Sequence, residues 1–173
     1  MNVKRKPTDK NSKECLGMTN LTNNGYFLPF FDYDSKRLMK VKNELRNIQH
    51  TFSLSDIYLI KTLNGYNAFS LDKIPFSILN QIMECSKEVD KDFKRLAFKR
   101  GFFVLRVGQE KKLQEILCSE NNIYEKSLCH ALALHTFFDY LLETPPEKGF
   151  DDNYMMRLHL YKSEKHGYLE VIK

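Results

Sequence analysis

Cysteine is sparse in this chain and never paired in sequence. Cys15, Cys85, Cys118 and Cys129 are the only four, and no two stand in a C-x-x-C spacing, so neither a zinc ribbon nor a thioredoxin-like site has support. Long hydrophobic runs are missing as well. None approaches the ~20 residues that span a bilayer, and the opening Met1-Asn2-Val3-Lys4-Arg5-Lys6 lacks the apolar stretch of a secretory signal. A cytoplasmic location with no membrane partner is therefore expected. Glycine and proline are scarce, 7 and 5 of 173 residues, which excludes a collagen-like chain; 42% hydrophobic and 13% aromatic content argues against intrinsic disorder. Strong charge is also lacking. A net +5, from 27 Lys+Arg and 22 Asp+Glu, is too mild to establish a nucleic-acid partner by itself.

What is present reads as one folded domain. A chain of this length buries roughly two thirds of its unfolded surface, enough for a core without disulfide or metal support. Its charge is unevenly spread: Lys91 to Lys112 holds eight bases against Asp92 and Glu110, whereas Asp139 to Asp152 holds five acids and one lysine. The basic stretch is either a solvated helix face or a surface for an anionic ligand. Residues 1 to about 20 are polar and without apolar period, so a flexible N-terminal arm is expected ahead of a single domain over 21–173.

Along that domain, Gly25 to Asp34 is an aromatic run closed by two aspartates, a buried strand with an irregularity at Pro29. Ser35 is placed to cap a helix reaching about His50, with Leu38, Val41, Leu45 and Ile48 recurring at helical spacing. Segments 57–62 and 66–70 flank Asn64-Gly65 as a hairpin. Pro75 opens a helix that ends near Ser86; a short helix covers Phe93 to Lys99, Gly101 stops it, and residues 102–107 follow as a strand. Ser127 to Glu143 is a broad apolar helix, and 156–161 with 168–172 form a second hairpin. The order predicts an α+β fold, a mainly antiparallel sheet backed by helices.

Asp32 and Asp34 stand two apart on the predicted strand, which aims both carboxylates the same way, within about 7 Å of each other. Such a pair repels unless a cation lies between, and Mg²⁺ or Mn²⁺ suits these oxygens while keeping waters and substrate phosphates. The plainer reading is two solvated acids at a strand end. Thr62, Asn64 and the amides around Gly65 are good donors to phosphate oxygens, or simply turn residues. Arg106 interrupts an apolar strand, which is costly unless it meets a carboxylate or a ligand phosphate.

Taken in order, Phe31-Asp32-Tyr33-Asp34, then Ile60-Lys61-Thr62-Leu63-Asn64-Gly65-Tyr66-Asn67, then Asp90-Lys91-Asp92-Phe93 and Leu105-Arg106-Val107 resemble the motifs of small primase-polymerase-like proteins of the archaeo-eukaryotic primase superfamily, found on viruses and plasmids as well as in cells. The resemblance spans Phe27 to Lys112 and implies an RRM-like palm. Its h-x-D-x-D motif falls on Asp32 and Asp34, which would hold the catalytic divalent metals. Thr62 and Gly65 fit the second motif, with Asn67 where the family has a histidine that meets the nucleotide's phosphates. Asp90, or else Asp92, matches the third acid. Arg106 with Lys111 or Lys112 stands in the positions that meet nucleotide or template phosphates.

The resemblance implies a metal-dependent nucleotidyltransferase of DNA replication, using Mg²⁺ or Mn²⁺, a DNA or RNA template and nucleoside triphosphates, with a replicative helicase as a further partner. The alternative is a catalytically weak or inactive primase-like protein that binds nucleic acid, a reading that Asn67 and the small size favour. A replication-initiator nuclease would need His-x-His on a strand, and Leu158-His159-Leu160 supplies one histidine only.

Overall fold

Two antiparallel sheets organise the chain. The computed structural model describes residues 15–107, 112–131 and 170–172, with elements β1 (Cys15–Thr19), β2 (Phe30–Tyr33), α1 (Leu38–Phe52), β3 (Ile57–Lys61), β4 (Tyr66–Ser70), α2 (Phe76–Cys85), α3 (Lys91–Arg100), β5 (Val104–Val107), β6 (Lys112–Leu117) and β7 (Glu170–Ile172). One sheet runs β2-β4-β3-β6 and the other β5-β1-β7. The α+β class with antiparallel sheets and helices is as expected. No helix among the described residues is long and apolar enough to cross a membrane.

The larger sheet is the centre of the core. All five residues of β4 are buried, as are Ile57 to Ile60 of β3, so both faces of these strands are covered. Tyr58 stacks on Phe69 with ring centroids 4.9 Å apart, and Phe30 meets Phe69 edge-on. Helix α1 buries Val41, Leu45 and Ile48, and α2 buries Leu79, Ile82 and Met83. Each large apolar side chain so buried contributes roughly 1.5–3 kcal/mol before entropy is charged.

Several expectations are corrected here. Residues 15–20 are not part of an arm: β1 pairs with both β5 and β7, and Met18 and Asn20 are fully buried. Residues 1–14 lie outside the described residues. Ser35 does not cap α1; its Oγ accepts the Arg37 N–H, and the helix begins at Leu38 with no side-chain cap. The short helix begins two residues earlier than expected because Asp90 caps it, its Oδ1 accepting the Phe93 N–H at 2.6 Å. Gly101 ends it at φ 86°, as a C-terminal glycine should.

Strand β6 was not foreseen. It pairs with β3 across a register shift between Leu59 and Ile60, and such a bulge breaks the period-two pattern by which strands are read. Of the apolar helix 127–143, residues 128–131 are helical and the rest lie outside the described residues, as does the first strand of the tail hairpin. The second half of that hairpin is present as β7, paired with β1.

Candidate functional site

The end of β2 is fastened from two directions. On one side lies β4, whose register sets Asn67 directly opposite Asp32, and the Asn67 Nδ2 donates to Asp32 Oδ1 at 2.7 Å. On the other lies the start of α3, where the Asp90 N–H donates to the Asp32 carbonyl oxygen at 2.8 Å. Asn67 is only 4% exposed, whereas Asp32 is half-buried and Asp34, one residue beyond the strand, is exposed. The two aspartates therefore do not share a strand as expected, although both open to the same space.

That space is a cleft of about 600 Å³. Its lining brings together Asp32 from β2 and Asp34 just beyond it, Thr62, Asn64 and Asn67 from the hairpin, Asp90 and Asp92 from the start of α3, and Arg106 from β5. Eight of the residues singled out by sequence, spread over 75 positions, thus border one cavity. Arg106 is exposed there. Asp92 forms an exposed ion pair with Arg95 at 3.1 Å, one turn along α3.

Gly65 has a different part from the one expected. It does not line the cleft; a Cβ at this position would lie 1.9 Å from the Tyr33 carbonyl oxygen. Only glycine lets the turn press against the backbone at Tyr33 and Asp34, where β2 ends. The turn is closed by the Thr62 N–H donating to the Gly65 carbonyl and by the Gly65 N–H donating to Thr62 Oγ1. Lys111 lies outside the described residues. Lys112 opens β6 opposite Lys61, which sets its backbone at the end of the sheet where the hairpin turns.

Arg100, Leu63, Phe93 and Leu96 also line the cleft; the sequence reading places Arg100 in the basic stretch and Phe93 in a motif but gives none of the four a role in the site. Asp92, Leu96 and Arg100 are spaced by four along α3 and so share a face, a signal available in the sequence once the helix is extended to its true ends. Leu63 is 76% exposed at the hairpin tip. Acids from β2 and α3, two arginines and an apolar rim give the cleft the chemistry to hold a polyanion through a cation and through guanidinium groups together.

Compared with known proteins, this chain matches no family model, no curated protein and no solved structure.

At the opposite end of β4 a second aspartate is held in another way. Asp72 is fully buried; its Oδ2 accepts the Ser55 N–H at 2.7 Å and the Ser70 hydroxyl. Burial pushes its carboxyl above the usual range, against the lowering effect of the bonds from Ser70 and Ser55. Close by in sequence to its bridge partner Lys126, His130 is also buried, with Nδ1 2.8 Å from Ser127 Oγ and Nε2 3.0 Å from the Thr19 carbonyl. A carbonyl can only accept, so Nε2 carries the proton and Nδ1 accepts from the serine. Burial lowers the imidazole pKa to about 4.

A divalent cation is the group that the motif resemblance implies. Among the described residues, no three His, Cys, Asp or Glu side chains are gathered as a group that could hold a metal ion. Asp90 explains part of this, since its Oδ1 is engaged in capping α3. Asp32 and Asp34 still present the donor set that suits Mg²⁺, which is commonly bound by one or two carboxylates with waters and substrate phosphates completing its shell.

Proposed function

We propose that this protein is a metal-dependent nucleotidyltransferase of primase-polymerase type, acting on a DNA or RNA template in replication. The observation that carries the reading is the meeting of Asp32, Asp34, Thr62, Asp90 and Arg106 around one cleft, from motifs that are far apart in sequence. Asp32 and Asp34 would hold Mg²⁺ or Mn²⁺, with Asp90 adding negative charge beside them. When bound, such a cation lowers the pKa of the attacking hydroxyl and neutralises the triphosphate. Arg106 and Arg100 would orient the phosphates by paired N–H donors, and Lys111 and Lys112 would add positive charge for nucleotide or template phosphates. In the step itself the primer 3′-hydroxyl gives up its proton to solvent water, its oxygen bonds to the α-phosphorus, and the bond from that phosphorus to the bridging oxygen breaks so that pyrophosphate leaves.

A second reading, a primase-like protein that binds nucleic acid without turnover, is favoured by two observations. Asn67 stands where an imidazole is expected, with its amide bonded to Asp32, and Asp90 serves as a helix cap. Nucleotide incorporation on primed and unprimed templates separates the two. We expect incorporation that needs Mg²⁺ or Mn²⁺ in the wild type and is abolished in Asp32→Ala. Template binding with no incorporation under either metal would falsify the enzyme reading and leave the binding module.

A further inference from the structure

The notable feature of the cleft is the side chain at position 67. From its place in the motif order Asn67 was expected to donate to a phosphate oxygen of the incoming nucleotide. The structure gives its donor another destination: Nδ2 lies 2.7 Å from Asp32 Oδ1, across a directly opposed β2–β4 pair, and the residue is 4% exposed. We infer that Asn67 is a positioning residue for Asp32, fixing the carboxylate for cation binding, and that it is not the phosphate contact. The inference rests on the metal-dependent reading of the cleft.

Three physical points support it. A carboxylate at a strand end beside a second acid has several open rotamers, and mutual repulsion turns the two groups apart when no cation is present. A hydrogen bond from a buried, immobile amide selects one of those rotamers in advance, as outer-shell donors do for metal-binding carboxylates. The donor is also neutral. An ammonium or imidazolium at the same distance would form an ion pair with Asp32 and offset the charge that attracts the cation, whereas an amide leaves that charge in place. The backbone of Asn67 is held between β2 and β3, opposite both Asp32 and Ile60, which fixes where its amide starts from.

The consequence is specific to this chain. Asn67→His is not a restoration: the larger ring would have to fit a position that is already buried and would displace the bond to Asp32. Outer-shell substitutions at metal sites lower affinity on the order of ten- to a hundredfold, and a loss in this range is expected for Asn67→Leu, which keeps the approximate shape of the side chain and removes the donor.

The test is Mn²⁺ binding to the full chain without nucleotide, read as the loss of the free-ion signal in electron paramagnetic resonance. Wild type, Asn67→Leu, Asn67→Ser and Asp34→Asn are compared, each shown by circular dichroism to be folded. Both position-67 variants should bind Mn²⁺ at least tenfold more weakly than wild type, with Asp34→Asn as the reference for losing a ligand outright. Asn67→Ser, being smaller, supplies the measurement if Asn67→Leu does not fold. Wild-type affinity in a folded position-67 variant overturns the positioning role and leaves the metal reading standing. Absence of Mn²⁺ binding in the wild type overturns the metal reading and the inference with it.

Discussion

The two ends of β4 hold aspartates in opposite ways. At one end Asn67 gives a single amide bond to a half-buried Asp32 that borders an open cleft. At the other, Ser70 and the Ser55 backbone enclose Asp72 completely. A carboxylate enclosed in this way is part of the packing: it specifies how the 54–56 and 70–72 segments meet, and its desolvation is offset in part by the bonds it accepts and by the charge of Lys126. A carboxylate held by a buried amide at the border of an open cleft is oriented while one side keeps its access to water. Residue type alone does not separate these cases. The number of fixed donors and the access to water do.

The comparison is broken or sharpened most strongly by truncating each acid in turn. Asp72→Ala leaves the Ser55 N–H and the Ser70 hydroxyl buried without their acceptor, a loss of about 4 kcal/mol given roughly 1–3 kcal/mol for each orphaned group. Asp32→Ala should lose less than about 1 kcal/mol, since its surroundings admit water to satisfy the Asn67 amide. Urea denaturation of both variants measures this, and equal losses would abolish the distinction between the two ends. Because Asp72 has a raised pKa in the folded state, its contribution grows as pH falls through that raised value and shrinks as pH rises again; the advantage of wild type over Asp72→Ala should be larger in mild acid than at neutral pH.

A smaller effect tests the histidine near the buried end. The folded pKa of His130, about 4, lies below the unfolded value of 6.5, so the neutral ring stabilises the fold fully above pH 6.5 and this contribution is lost as pH falls toward 4. The loss over that window is about 3 kcal/mol at 1.36 kcal/mol per pH unit. His130→Gln should flatten the dependence of the urea midpoint on pH between 6.5 and 4, and an unchanged slope would show that the ring is not the group responsible.

The smallest expected effect belongs to two lysines of the basic stretch, Lys111 and Lys112. If Lys111 and Lys112 both touch phosphate, replacing them by alanine should reduce the slope of log affinity against log salt by about two units on single- or double-stranded template. An unaltered slope would place the nucleic acid on other bases of the 91–112 stretch, and fold stability should not change in either case.

These contrasts also show what sequence could and could not disclose. The hairpin was legible because Asn64-Gly65 sits between two apolar runs, and α1 because Val41, Leu45 and Ile48 keep helical period. The lining of the cleft was legible in outline, since motif order groups Asp32, Asp34, Asp90 and Arg106, and all four border one cavity. Strand β1 was hidden because it is five residues long with no alternating pattern and its pairing partners, β5 and β7, lie some 90 and 155 residues away in sequence. Strand β6 was hidden by its bulge. The destination of the Asn67 amide and the reason for Gly65 were hidden for a different cause: each depends on a contact with β2 that only the assembled sheet creates.

The bond from the Asp90 N–H to the Asp32 carbonyl oxygen has a practical use. It ties one amide proton of the helix start to the peptide group of the residue at the centre of the cleft. In a ¹⁵N-resolved spectrum that single resonance reports on both elements at once, because amide shifts follow the length and angle of the hydrogen bond they make. A ligand that draws the Asp32 peptide away from α3 will shift the Asp90 signal and speed its exchange with deuterium; one that seats on the arginines alone will leave it where it was. The amide of Asp90 is therefore the natural gauge for titrating metals, nucleotides and oligonucleotides into this protein.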